Sequence, residues 1–437
     1  MKRISRKQKR EKQKEINFFE EFIRIQHHFF KDLNIMLKNV KDERHQSYIE
    51  YTPDILLFSM IIKNATSLQS MSRMTTEFNR SECINNVAKV LGYEELGELP
   101  HHDTINNFLK KLNPSEIEKI RRYMIKELFK KRCLEQYRLL DKYWTIAVDA
   151  TGLVSFSQRH CEHCLKREYK NKETGEIEKT IYFHYVLEAK LIVGDMALSI
   201  DTEFIENEES YEKQDCELKA FKRLAKRLKK NYKRLPICLL GDSLYAVDPT
   251  FEICKKYNWK YIFTFKEGRT KSIWSEFEVL KGLENDTNTM DYTWVNELVY
   301  KENLVNILEA KVVEKAKEKE FTFITNIIIR ENNAKKILFA GRSRWKIENQ
   351  GFNNQKRITN NIAHLCSKDY NAMKNHYLLV QLVEIIRQLF EKGNKLIRCL
   401  RASLKEISSR ILESFRRDPL TPEDIINLNK RIQIRCL

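Results

Sequence analysis

Along the chain, apolar residues recur at helical spacing through the first third, form short alternating or continuous runs in the middle, and return to helical spacing towards the end. In Ile16–Leu37, the side chains Phe18, Phe19, Phe22, Ile23, Phe29 and Phe30 form a core-facing helical stripe. Short helical patterns with polar breaks follow from Thr52 to about Tyr93. Leu99-Pro-His-His-Asp-Thr104 then reads as a helix start, with Asp103 or Thr104 as cap, leading into Ile105–Leu112. A further amphipathic helix spans Pro114 to about Tyr137.

The pattern changes at Tyr143. Tyr143–Gly152 (YWTIAVDATG) is rich in β-formers and closed by small residues, which predicts a buried strand ending in Asp149. Leu153–Ser157 begins a second strand, and Thr180–Leu187 and Ala189–Ile200 read as two more in an antiparallel meander. Helical spacing over Asp215–Lys230 (Leu218, Phe221, Leu224, Leu228) precedes a strand at Ile237–Gly241, a helix at Asp248–Tyr257 and a strand at Trp259–Phe265. Three antiparallel strands followed by strand–helix–strand is the order of an α/β, RNase H-like fold. Asp291–Tyr300, Leu304–Glu314 and Phe321–Arg330 are again β-like, too structured for a loop, and predict a β-rich insertion. From Ala340 to about Lys392 the chain reads as helical. The expected division is a basic arm (1–15), an all-helical domain (16–140), a catalytic domain (141–266 and 340–392) interrupted by the insertion (267–339), and a basic helical tail (393–437).

Charge adds a partner. The 437-residue chain carries a formal net charge of +18, which favours a polyanion but says nothing of fold. The arm MKRISRKQKREKQK is either a DNA-touching arm or a solvated helix start, and the N-terminal helices suit either helix-turn-helix-like DNA binding or packing and dimerisation. Ten scattered cysteines, no signal peptide and no run long enough to span a bilayer predict reduced thiols in a cytoplasmic protein that makes no membrane contact.

Three acids define the candidate chemistry. Asp149 ends one predicted strand, Asp242 in GDSLYA follows another, and Glu348 lies in the helical stretch RWKIENQGF. A carboxylate at the end of a buried strand is costly without a cation. Hard divalent cations such as Mg²⁺ or Mn²⁺ take carboxylate oxygens, and a pair ~3.5–4 Å apart can activate the nucleophile and neutralise the attacked phosphate. On an ideal helix Arg344, Glu348, Phe352 and Gln355 share a face, so Arg344 can hold Glu348 in place or grip a phosphate. Trp345, Lys346, Lys356 and Arg357 extend a basic, DNA-contacting cluster around it. Trp274 or Trp294 could stack on an unpaired base, with core packing as the simpler role.

These residues resemble the DDE transposases of bacterial insertion sequences, in particular the cut-and-paste group with a β-strand insertion before the catalytic glutamate. The resemblance covers roughly Tyr143 to Phe390 and, more loosely, the PHHDT segment at 100–104 and the tail. VDATG supplies Asp149, GDSLYA supplies Asp242 and RWKIE supplies Glu348. The group's signature around the glutamate is Tyr, two residues, Arg, three residues, Glu, six residues, Lys. Arg344 and Glu348 match it, while Gly341 stands at the tyrosine position and Gln355 at the lysine position, with Lys356 next. The segment Tyr211-Glu-Lys-Gln-Asp-Cys-Glu217 also resembles a recurring stretch of these enzymes, with no chemistry attached.

The resemblance implies a metal-dependent nuclease and strand-transferase, with two Mg²⁺ or Mn²⁺ ions on Asp149, Asp242 and Glu348. It implies double-stranded transposon ends and target DNA as partners, a homodimer in the DNA complex, and a nucleoid location during action. The competing readings are an RNase H-like nuclease without strand transfer and an inactive DNA-binding relic.

One segment stands apart. His160-Cys161-Glu162-His163-Cys164 resembles half a Zn²⁺ site, yet the four side chains are too close in sequence to close one tetrahedron, and no second CxxC exists. His184 or a symmetry mate could complete a site. The default expectation is an exposed loop with reduced thiols.

Overall fold

A computed structural model of the chain describes residues 16–45, 47, 49–208, 212–281, 292–314 and 317–428. The basic arm, Tyr211 and the final residues 429–437 lie outside the described residues. By its own contacts the chain divides into two units, residues 1–133 with 352–437, and residues 134–351.

The first unit opens with helices α1 (Phe18–Phe29), α2 (Leu33–Lys38), α3 (Pro53–Ala65), α4 (Met71–Phe78), α5 (Ser81–Leu91), α6 (His102–Lys111) and α7 (Pro114–Lys130). The Asn17 side chain caps α1 by accepting the Glu20 N–H at 3.0 Å. The start of α6 differs from the sequence expectation. His101, rather than Asp103 or Thr104, is the cap, and its Nδ1 lies 3.2 Å from the Asp103 amide.

The second unit is built on a mixed, open sheet. Its strands are β1 (Trp144–Phe156), β2 (Leu165–Lys170), β3 (Ile177–Val193), β4 (Met196–Ile205), β5 (Ile237–Gly241), β6 (Lys260–Thr264), β7 (Tyr292–Tyr300), β8 (Asn303–Glu314) and β9 (Lys317–Thr325). The order is β2-β3-β1-β5-β6-β9-β8-β7, and β4 pairs with β3. β1, β5 and β6 run parallel, and the neighbours outside them pair antiparallel. The predicted insertion strands therefore continue the same sheet through β6 and β9. Helices α8 (Glu217–Asn231), α9 (Asp248–Tyr257), α10 (Lys271–Leu280) and α11 (Glu331–Ser343) accompany it. On α8, Arg227 pairs with Asp201 at 2.9 Å and with Glu203 at 2.6 Å, which fixes that helix to β4.

Two strand boundaries differ from the sequence reading. β1 continues through Leu153–Phe156 as one strand with an irregularity between Gly152 and Ser155, where two strands were expected. The hairpin after β3 turns at Gly194-Asp195, not near Glu188, because Gly194 takes the left-handed conformation (φ 54°) that the turn needs. Glu188 reads as a polar break but sits buried inside the sheet, where its carboxylate accepts from the Ser199 hydroxyl at 2.8 Å and from Thr202.

The chain returns to the first unit through α12 (Tyr370–Gln388), α13 (Lys395–Leu400), α14 (Leu404–Arg417) and α15 (Pro422–Asn427). The predicted continuous helix from Ala340 to Lys392 is interrupted. π-helical turns occupy Ile347–Asn353 and Gln355–Thr359, and residues 360–369 are non-helical. Helix α12 is buried almost throughout, and Asn375 Nδ2 donates to the carbonyls of Leu109 (2.8 Å) and Leu112 (2.7 Å), closing the end of α6. The aromatic stripe of α1 faces the C-terminal helices: Phe19 and Phe415 have ring centroids 4.8 Å apart, and Phe22 and Phe390 lie 5.8 Å apart. Burial of each such ring is worth ~1.5–3 kcal/mol, so the two ends of the sequence stabilise one core.

Candidate active site

Asp149 and Asp242 owe their positions to one parallel strand pair. Ala147 of β1 and Leu240 of β5 are the last pair of that ladder, and Asp149 and Asp242 each follow two residues later. Asp242 stands just past the carboxyl end of β5, while Asp149 lies in the middle of β1, where neighbouring strands run ~4.8 Å apart. Gly241 makes the turn between β5 and Asp242 possible. A Cβ there would come within 2.8 Å of the Tyr245 ring and 3.0 Å of Phe263. Asp242 then caps the short turn Ser243–Tyr245, with Oδ1 accepting the Leu244 N–H at 2.8 Å.

Glu348 arrives from the other direction. Helix α11 packs on the sheet with Gly341 facing Phe323, so closely that a Cβ at Gly341 would lie 2.6 Å from that ring. A larger residue cannot sit at this point without moving the helix or the Phe323 ring. Beyond α11, Glu348 lies in a π-helical turn, so the ideal face shared by Arg344, Glu348, Phe352 and Gln355 does not form as drawn. The Arg344–Glu348 pair survives at 2.7 Å, and the same Arg344 nitrogen lies 3.5 Å from Asp149 Oδ2. In the first unit, buried Gln355 exchanges amide hydrogen bonds with Gln381 at 3.1 and 3.0 Å, a role that a lysine could not fill.

The electrostatics follow from this crowding. Burial pushes Asp149 up to about 7; Arg344 opposes the shift, while Glu348, Glu217 and Asp242 add to it. Sequence reasoning missed Glu217 as part of the site. It is the first residue of α8, its carboxylate accepts the buried Tyr245 hydroxyl at 2.7 Å, and burial and Asp242 raise its own pKa. Its segment was visible in the sequence, but only folding sets it among the acids. Glu188, directly across from Asp149 on β3, is already occupied by the hydroxyls of β4. The carboxylates of Asp149, Asp242 and Glu348 do not close into a cluster with all ligand oxygens within 4.8 Å. Among the described residues, that proximity is reached by Cys161–Cys164–His184 and by the surface group His101–His102–Asp103.

The basic residues have distinct fates. Trp345 is 45% exposed and lines a cleft of about 770 Å³ together with Lys266, Trp274, Lys319, Arg342 and Arg344. Lys346 turns inward, donating to the Gly194 carbonyl at 2.6 Å and lying 3.3 Å from Asp195. Arg342 pairs with Glu314 and stacks over Phe321 at 4.6 Å. Trp294 is buried, so Trp274 is the tryptophan of the pair that reaches the cleft. Lys356 and Arg357 belong to the first unit, where Lys356 is half-buried and Arg357 exposed.

The HCEHC segment divides. Cys161 and Cys164 gather with His184, whereas His160 stacks on Phe156 and His163 turns to the Asn207 carbonyl at 3.0 Å. Among the described residues, no helix is long and apolar enough to cross a membrane. In comparisons with known proteins, no protein-family model and no curated protein sequence matches the chain.

Proposed function

We propose that the chain is a DDE-type DNA transposase, with an RNase H-like catalytic unit that cleaves transposon ends and joins the 3′-hydroxyls to target DNA. The observation that carries the reading is the meeting of acids beside the parallel pair β1 and β5: Arg344 lies 2.7 Å from Glu348 and 3.5 Å from Asp149, and Asp242, just past β5, is close enough to raise the Asp149 pKa. The strand order supports it too: β1, β3 and β4 are successively antiparallel, and β5 and β6 run parallel to β1.

The donor set fits a hard divalent cation. The groups are carboxylate oxygens, and burial, helped by the neighbouring acids, raises the Asp149 pKa despite Arg344, a cost that a bound cation would relieve. Asp149, Asp242 and Glu348 would hold Mg²⁺ or Mn²⁺, and Glu348 would exchange its Arg344 partner to do so. Bound there, a pair of such ions lowers the pKa of the attacking water or hydroxyl and neutralises charge on the phosphate. The protein's own groups do the rest. Asp149 would hold such an ion as its carboxylate, and Arg344 would be within reach of a phosphate oxygen. Trp345, Trp274 and the lysines of the cleft offer stacking and phosphate contacts whose strength should fall with salt. A homodimer on paired DNA ends, in the cytoplasm, completes the proposal.

The test uses a supercoiled plasmid carrying the DNA that flanks this coding sequence, with Mg²⁺ or Mn²⁺. Joined 3′-end products from the wild type, lost in Asp149→Ala, support transposition. Cleavage without joining would favour a nuclease instead. DNA-dependent activity that survives Asp149→Ala would leave a DNA-binding relic.

A further inference from the structure

The geometry points to a zinc site formed by Cys161, Cys164 and His184, apart from the carboxylates. The three ligand atoms form a nearly regular triangle: Sγ–Sγ is 3.7 Å, Cys161 Sγ to His184 Nε2 is 3.5 Å, and Cys164 Sγ to His184 Nε2 is 3.6 Å. A tetrahedral Zn²⁺ with Zn–S ~2.3 Å and Zn–N ~2.0–2.1 Å requires edges of ~3.8 Å between sulfurs and ~3.6 Å between sulfur and nitrogen. The protein already holds one face of that tetrahedron.

Its surroundings keep the ligands aimed at one point. The Cys161 amide lies 3.4 Å from Cys164 Sγ, and the Cys164 amide donates to the Cys161 carbonyl at 3.3 Å, so the CxxC folds into a tight turn. Asn207 braces that turn from outside: its side-chain amide donates to the Cys164 carbonyl at 2.9 Å, and its backbone amide to the His163 carbonyl at 3.4 Å. His163 is drawn onto the Asn207 carbonyl and towards Glu162 (3.4 Å), away from the sulfurs. Cys164 and His184 are 2% and 1% exposed, and the Phe156 ring stands edge-on to His184 at 6.0 Å, which limits access of water. Two thiolates and an imidazole are soft donors that select zinc over magnesium.

Three protein ligands would leave a fourth position open to solvent on the half-buried Cys161 side. The site ties the connection between β1 and β2 to the middle of β3, the strand that also pairs with β1 at Asp149. Its role is to brace that connection.

The test is metal analysis of the full chain purified under reducing conditions with zinc supplied. The expected result is about one zinc per chain, retained on dialysis in the wild type and in His163→Ala. Cys161→Ser, Cys164→Ser and His184→Gln should each bind at least ~100-fold more weakly, since a direct ligand counts for more than the ~10–100-fold of an outer partner. Cobalt substitution should give thiolate-to-cobalt charge transfer and the strong ligand-field bands of four-coordination. In case a variant folds poorly, thiol labelling of the wild type provides a second readout: zinc should protect Cys161 and Cys164 from alkylation and leave exposed Cys216 reactive. A wild type that holds no zinc, equal retention in His184→Gln, or loss in His163→Ala would overturn the assignment. So would a Cys161–Cys164 disulfide in the reduced, zinc-supplied protein.

Discussion

Nη1 of Arg344 lies 2.7 Å from Oε1 of Glu348, and the same nitrogen reaches Asp149 Oδ2 at 3.5 Å. One guanidinium thus supplies counter-charge to two of the proposed metal ligands. Any cation taken up by Glu348 would have to compete with Arg344.

Arg344→Gln tests that role. Arg344 holds the raised Asp149 pKa down, so its loss should move the acidic limb of the pH–rate profile to higher pH and lower DNA cleavage at least ~10-fold. Arg344→Lys should restore part of both. An acidic limb that stays in place would count against the coupling.

Asp149 makes the metal-free protein sensitive to pH. Its folded pKa of about 7 lies above the ordinary ~3.9, so the native state binds the proton more tightly than the unfolded chain does. The stabilisation is complete below pH ~4 and is lost as pH rises to ~7, a total of at most ~4 kcal/mol. In urea unfolding with chelator, the wild type should be less stable at pH ~8 than at pH ~5, and Asp149→Asn should flatten that dependence. An unchanged slope in the variant would place the titration elsewhere.

Gly341→Ala should destabilise the second unit by ~1–3 kcal/mol, because the new Cβ would lie 2.6 Å from Phe323. Phe323→Leu in the same chain should recover part of the loss. Thermal unfolding of the two single variants and the double variant measures it, and additive losses would exclude a shared clash.

In the first unit, Arg387 is buried with Glu384 at 2.7 Å and Glu391 at 3.5 Å. Arg387→Ala leaves buried acids without their cation and should cost ~3–5 kcal/mol, whereas Arg387→Met should cost less at pH ~5 than at pH ~8. That order follows from burial, which pushes Glu391 up to about 7 and favours its neutral form at low pH.

The sequence carried the elements that repeat locally. Periodicity located the Phe18–Phe30 stripe, the strand carrying Asp149 and the Ile237–Gly241 strand, because each buries one face over several residues. It misplaced the β3–β4 turn, since Glu188 is polar in type yet buried, with partners on a strand not yet paired. The break at 360–369 was invisible for a similar reason: the apolar spacing on either side is helical, and the π-helical turns shift its phase. At the site, Asp149 and Asp242 could be named from the strands predicted before them and Glu348 from its helical stretch, although β1 runs on past Asp149 to Phe156. Glu217 needed tertiary proximity, which no local spacing encodes; His184 could be named from the sequence only beside a symmetry mate, and folding is what brings it to the two cysteines.

Mn²⁺ titration by calorimetry, without DNA, addresses the carboxylate site most directly, because Mn²⁺ prefers oxygen ligands to thiolates. Binding to the wild type should weaken at least ~10-fold in each of Asp149→Asn, Asp242→Asn and Glu348→Gln, and strengthen as pH rises through ~7. Equal Mn²⁺ binding by the wild type and all three variants would contradict a shared metal site.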